Sequence, residues 1–178
     1  MPNGAFSGVI KNSEPALKTL TAERLREVLD YDPDTGVFTW KVARGRGVKA
    51  GDIAGYADDK GYRRITVDGR EHLAGRVSWL HVCGCWPTNE IDHKNGIRSD
   101  DRFTNLRDVT HSLNQQNKRQ AQCNNKTGLL GVSRSRNNFT AYIKIDGKTQ
   151  RIGTFDTPKS AHEAYIAAKR RLHEGCTL

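Results

Sequence analysis

Apolar and polar positions alternate with a helical period from residue 20 onward, where Leu25, Val28 and Leu29 fall on one side of a predicted helix. Thr21 is suited to cap it, and Leu20 is placed to staple against Leu25. The turn-forming run Tyr31-Asp32-Pro33-Asp34-Thr35-Gly36 ends that element, and Val37-Phe38-Thr39-Trp40 has strand composition. Tyr62 to Val67 followed by Asp68-Gly69 predicts a hairpin, and Val77, Trp79, Leu80 and Val82 predict a short core helix before Pro87. Trp79 sits inside that apolar run and is assigned to packing. Residues 119–130 lose periodicity and read as a linker, whereas 129–134, 139–145 and 149–155 read as strands with Asp146-Gly147 as a turn. A last helix opens with Thr157 as cap and Pro158 at its first position, with Ala161, Ala164, Tyr165, Ala168 and Leu172 on one side. Lys169, Arg170 and Arg171 crowd its final turn, where they favour the negative end of the helix. Residues 1–19 show no sustained periodicity and are expected to be a flexible segment.

These elements predict an α+β fold with two modest cores, one over residues 20–118 and one over 131–175, the second a three-stranded antiparallel sheet packed on one helix. The chain has 178 residues, 35% of them apolar, which suits two small cores better than one large enzyme scaffold.

Charge adds a partner class. The formal charge of +9 favours a polyanion and would equally suit an anionic membrane surface. Its distribution separates the two halves: residues 119–178 hold 11 basic and 4 acidic residues, residues 1–118 hold 18 and 16. The tail therefore has the composition of a tether. Cys83, Cys85, Cys123 and Cys176 form no Cys-x-x-Cys pair, and the single-residue gap in Cys83-Gly84-Cys85 is too tight for a usual zinc knuckle. No secretory apolar segment and no bilayer-spanning stretch is expected, which points to a reducing interior.

The chemistry concentrates in Glu90-Ile91-Asp92-His93, Asn105 and Asn114. A carboxylate such as Asp92 can bind a hard divalent cation, and a neutral imidazole such as His93 can take a proton from water. On a regular strand adjacent side chains diverge, so cooperation between these two requires a strand end or a turn, and Gly96 is nearby. Thr110 can cap a helix carrying Asn114, whose amide oxygen could reach the same cation, while Asn105 can bridge the loop and brace His93. Taken singly, Asp92 and Asn114 read as a turn residue and an exposed helical amide; the ordered set changes that balance.

Ile91 to Asp100, Asn105-Leu106-Arg107-Asp108-Val109-Thr110 and Ser112 to Asn117 together resemble the HNH endonuclease family, particularly its phage and intron-homing branch. With the Tyr31 to Trp40 segment included, the resemblance covers about residues 20–118. It implies a small ββα-metal nuclease domain in which His93 is the general base, Asp92 and Asn114 hold Mg2+ (or Mn2+), and Asn105 orders the site. Asn114 or Asn117 stands where some relatives use His, and Gly75 stands in a segment that often has His before Arg. Arg98 and Arg107 are candidates for phosphate contacts, their alternative being salt bridges to Asp100, Asp101 or Asp108. The basic run Arg44 to Lys49 is either a backbone-tracking loop or a solvated one.

Gly131 to Arg136, Phe139 to Ile143, Arg151 to Phe155 and the helix opening at Asp156 resemble an AP2-like DNA-binding domain. Such a domain lays its open sheet in the major groove, and Arg134, Arg136, Tyr142, Lys144, Lys148 and Arg151 are the candidate DNA contacts. Alternation places Tyr142 and Lys144 on one face, with Ala141 and Ile143 toward the helix. The expected activity is metal-dependent, site-specific hydrolysis of double-stranded DNA, as a nick made by a monomer, with a dimer as the route to a double-strand cut. The rivals are a noncatalytic, sequence-specific DNA-binding protein with a decayed nuclease site, and a ribonucleoprotein module that would prefer RNA.

Overall fold

The computed structural model describes residues 19–45 and 47–177; the segment expected to be flexible lies, except for Thr19, outside them. Helix α1 (Ala22–Val28) starts where Thr21 accepts a hydrogen bond from the Arg24 amide at 3.2 Å, so the cap expected from sequence is the cap observed. It runs directly into strand β1 (Leu29–Tyr31), which pairs with β2 (Phe38–Trp40) across the Asp32 to Gly36 turn. Strands β3 (Tyr56–Ala57), β4 (Arg63–Val67) and β5 (Arg70–Leu73) form an antiparallel sheet, and helix α2 (Ala74–Cys83) follows at once. At the β4–β5 turn Asp68 and Gly69 both take positive φ, 48° and 79°, the two left-handed positions that a tight Asp-Gly hairpin needs. Leu20, Leu25, Phe38, Ile65, Val77 and Leu80 are buried together and make the first core. Val82, expected to join them, is 44% exposed, whereas Trp79 packs its ring on Phe103 at 5.2 Å.

Strand β6 (Glu90–His93) and β7 (Leu106–Val109) form a two-stranded antiparallel ribbon, closed by a 3-10 turn at Phe103–Asn105. Helix α3 (His111–Gln116), capped by the Thr110 hydroxyl, follows β7. A mixed α+β architecture of small antiparallel sheets and helices thus surrounds the candidate residues.

The last unit contains β8 (Val132–Ser135), β9 (Asn138–Ile145), β10 (Lys148–Phe155) and α4 (Pro158–Leu172), with β9 central in the sheet. The first of these strands begins three residues later than its composition suggests. Gly131 takes φ 77° and lies so close to α4 that a Cβ there would overlap the Tyr165 ring, so the chain turns at 131 before it extends. Val132, Ala141, Ile143, Ala161, Tyr165 and Ala168 form the second core. Leu172 departs from the expected stripe at 41% exposure, because the helix stops there with His173 as its cap. Lys169 departs in the opposite sense: it is buried, and its ammonium donates to the carbonyl of Lys118 rather than to the end of its own helix. Among the described residues, no helix is long and apolar enough to cross a membrane.

Candidate active site

The β6–β7 ribbon fixes the first two residues of the site. Asp92 lies directly opposite Arg107 in the register; the Nε of that guanidinium donates to Asp92 Oδ2 at 2.8 Å, and one terminal nitrogen stands 2.7 Å from the same oxygen as an ion pair. Asn117 adds its amide nitrogen at 3.0 Å to the same carboxylate and at 3.0 Å to the His93 carbonyl. Asp92 is consequently buried, with both of its oxygens already accepting hydrogen bonds. One residue on, His93 projects to the other side of the ribbon, where Nε2 lies 3.1 Å from Asp101 Oδ1. Strand β6 ends at His93, and the turn that follows is closed by the Gly96 amide on the His93 carbonyl at 2.9 Å. The strand end anticipated from the adjacency of Asp92 and His93 is therefore present, and both border one cavity of about 780 Å³.

Asn114 enters that cavity from α3. Its amide nitrogen donates to Glu90 Oε2 at 2.6 Å, and Glu90 Oε1 meets His111 Nδ1 at 2.7 Å. A carboxylate can only accept, so Glu90 selects the nitrogen of the Asn114 amide and leaves the oxygen without a protein partner among the described residues. The donor from Asn114, followed by His111, holds the Glu90 carboxyl below its ordinary range.

Asn105 is buried, and among the described residues its side chain makes no hydrogen bond to the His93 ring. It braces the loop after His93: its oxygen accepts from the Asn95 amide at 3.0 Å, its nitrogen donates to the Asp100 carbonyl at 2.8 Å, and its carbonyl accepts from the Lys94 amide at 2.9 Å. Asp100 binds the Arg102 guanidinium through two bonds at 2.7 and 2.6 Å, which lowers its carboxyl to about 2.

The two arginines near the site are placed differently. Arg98 borders the cavity, donates to the Lys60 carbonyl at 2.8 Å and lies over the Tyr62 ring at 5.1 Å. Arg107 spends its guanidinium on Asp92 and, at 2.7 Å, on the Gly175 carbonyl. Neither takes the salt bridges weighed for it, since Asp101 faces His93, Asp108 accepts the amides of Thr88 and Asn89, and Asp100 holds Arg102. Arg44, from the basic run, is likewise occupied, bonding Asp68 at 2.9 Å and lying 4.5 Å over Trp40.

Glu90, Asn117, Asp101, Lys60 and Tyr62 are parts of this site for which the sequence reading gave no role of this kind. The spacing of Asn114 and Asn117, three residues apart on the α3 side of the chain, was the available signal for the last amide. Nothing local ties Lys60 or Tyr62, some thirty residues earlier, to His93.

In the tail, Arg134, Arg136, Tyr142, Lys144, Lys148 and Arg151 are all exposed. Tyr142 pairs with Arg151 and Lys144 with Thr149, while Ala141 and Ile143 are buried against α4, so Tyr142, Lys144 and Arg151 share the open face. Arg134 pairs with the partly buried Phe139 and Lys148 with Ile145, which puts both on the opposite parity; Arg136 sits in the β8–β9 turn with φ 50°.

Comparison with known protein families finds a match to the HNH endonuclease family over residues 72–116, about a quarter of the chain. The matched stretch contains Asp92, His93, Asn105 and Asn114 and provides a family-level link to HNH nucleases. No curated protein and no solved structure matched the chain.

Proposed function

We propose that this chain is a metal-dependent DNA endonuclease that hydrolyses a phosphodiester bond of duplex DNA and nicks one strand, with β6, β7 and α3 as a ββα-metal unit. The observation that carries the reading is that Asp92, His93 and Asn114 border one cavity, with the Asn114 oxygen left unpartnered by the grip of Glu90. The described residues contain no group of three or more His, Cys, Asp and Glu side chains able to share a metal ion. The donors here are one carboxylate and amide oxygen, a hard set that suits Mg2+ or Mn2+, ions that retain several waters and need few protein ligands. Asp92 and Asn114 would hold the ion, which when bound would stabilise negative charge on the phosphate and leaving oxygens. His93 removes a proton from the attacking water, Asn105 keeps the following loop in place, and Arg98 offers a cation to the phosphate backbone beside the cavity. In the tail, an AP2-like unit presents Tyr142, Lys144 and Arg151 to the major groove, so that specificity comes from joint placement of two modest contacts. The protein acts as a monomer on each nick, inside a cell.

The test is conversion of supercoiled plasmid to open circle with Mg2+, followed by strand-labelled end mapping. His93→Ala should lower the single-turnover rate by about 100-fold or more while DNA affinity persists. Undiminished cleavage by purified H93A would remove His93 from the reaction. A second reading, a DNA-binding protein whose nuclease site has decayed, is favoured by one observation: the Arg107 cation already sits on Asp92. It predicts sequence-selective duplex binding with no Mg2+-dependent product.

A further inference from the structure

The segment Tyr31 to Gly36 stands out in the sequence, and the proposed chemistry leaves it unused. In the fold it grips the backbone of Asp101, Arg102 and Phe103. The Tyr31 hydroxyl donates to the Asp101 carbonyl at 3.0 Å and accepts from the Phe103 amide at 2.9 Å, so one oxygen pins both ends of the tripeptide. Gly36, at φ 74°, lies against the same stretch: a Cβ there would overlap the Arg102 nitrogen and sit 2.6 Å from the carbonyl carbon of Asp101. The turn is itself rigid, because Asp32 Oδ1 accepts from the Asp34 amide at 2.9 Å, Oδ2 from the Thr35 hydroxyl at 2.7 Å, and the Asp32 carbonyl from the Gly36 amide at 2.8 Å.

The gripped tripeptide begins with Asp101, which is 2% exposed and whose Oδ1 lies 3.1 Å from His93 Nε2. Its other oxygen is buried without any partner among the described residues. Helix α2 closes the far side through Gly75, where an added Cβ would stand 3.1 Å from Asp101 Oδ1 and 3.6 Å from His93 Cε1. Gly75 is the place where the resemblance would have favoured His, and here the missing side chain makes room for the pair. Burying a carboxyl group with only one partner costs free energy, and such a group persists when its one contact is worth keeping.

We propose that Asp101 is the positioning residue for His93, and that the Tyr31 to Gly36 turn exists to hold it there. The proposal rests on the reading of His93 as general base. Asp101 accepts a hydrogen bond from Nε2–H, which fixes the neutral ring in one tautomer and leaves the lone pair on Nδ1, a nitrogen without a hydrogen-bond partner among the described residues. An acceptor that selects tautomer and ring angle acts through the base and never touches the substrate.

Two readouts test this in the full chain. The first is the pair of His93 ring nitrogen shifts by 15N NMR, recorded about two pH units above the ordinary histidine value of ~6.5. The parent protein should show protonated Nε2 and bare Nδ1, and Asp101→Ala should move both signals toward the tautomer average. The second is the single-turnover cleavage rate, which D101A should lower by about 10- to 100-fold with unchanged duplex affinity. Tyr31→Phe removes one oxygen, keeps the ring in the core and should shift both readouts in the same direction by a smaller amount. It carries the test if D101A does not fold. Unchanged His93 nitrogen shifts in a folded D101A or Y31F protein would overturn the proposal, as would parental cleavage rates. If no protein cleaves DNA at all, the nuclease reading fails, and the nitrogen shifts still decide whether Asp101 sets the tautomer.

Discussion

Replacing Asp92 with Ala perturbs more than a metal ligand. Asp92 is 7% exposed, accepts from Arg107 Nε at 2.8 Å and from the Asn117 amide at 3.0 Å on both its oxygens, so its removal takes the counter-charge from a guanidinium and leaves a buried amide with only the His93 carbonyl. Breaking a buried pair by deleting one partner typically costs about 3–5 kcal/mol. The Arg107 side chain is 22% exposed and retains the Gly175 carbonyl at 2.7 Å, so water recovers part of the loss and the low end, about 3 kcal/mol, is expected. For a chain of this size that corresponds to a melting temperature lower by roughly 6–12 °C. Arg107→Met should cost about 2 kcal/mol, because Asp92 keeps Asn117, and the double variant should cost about 2 kcal/mol less than the sum of the single ones. Thermal and urea denaturation of the four proteins measure the cycle. Strict additivity, or a D92A protein as stable as the parent, would show that the ion pair carries no structural weight and that Asp92 is held for its ligand role alone. The cycle also sets the conditions for activity assays, which must run well below the D92A transition.

Four other outcomes follow from the same geometry. Asn114→Ala should raise the Mg2+ concentration needed for half-maximal cleavage while leaving duplex affinity at saturating salt-matched conditions unchanged, measured by titrating metal in plasmid nicking. Asp100 has its carboxyl lowered to about 2 by Arg102, whereas an unfolded Asp titrates near ~3.9; its contribution to stability is complete above that value and is lost as pH falls toward 2. Asp100→Asn should accordingly flatten the acid limb of stability against pH. Gly131→Ala should destabilise the tail by about 2–4 kcal/mol, since it combines a left-handed backbone with overlap on the Tyr165 ring, and limited proteolysis should find the tail opened first. Lys144→Ala and Arg151→Ala should each reduce the salt dependence of DNA binding by about one counterion, whereas Lys148→Ala, on the opposite parity, should change it less.

What can be read along the chain is what neighbours decide. Thr21, Thr157 and Thr110 cap helices where their positions predicted, because a cap bonds an amide three residues away. Both Asp-Gly turns take the left-handed pair of conformations their residues allow, and the alternation at 140–144 put Tyr142 outward and Ile143 inward. The composition of 129–131 suggested strand, but Gly131 turns the chain at φ 77°, at a point so close to Tyr165, more than thirty residues later, that a Cβ would overlap its ring.

The site divides along the same line. Asp92, His93, Asn105 and Asn114 stood out by residue type and spacing, since the proposed pair of ligands, the base and the bracing amide need those functional groups whatever surrounds them. Which groups would grip them depended on approach between distant segments. Arg107 reaches Asp92 across a strand pair, Asp101 meets His93 at the far end of a loop, and Tyr31 pins Asp101 from seventy residues away. Hydrogen bonds and burial are properties of pairs, so residue type and spacing marked Asp92, His93, Asn105 and Asn114 as candidates, and tertiary packing alone added Glu90, Asp101 and Asn117 and decided which groups are free and which are already held.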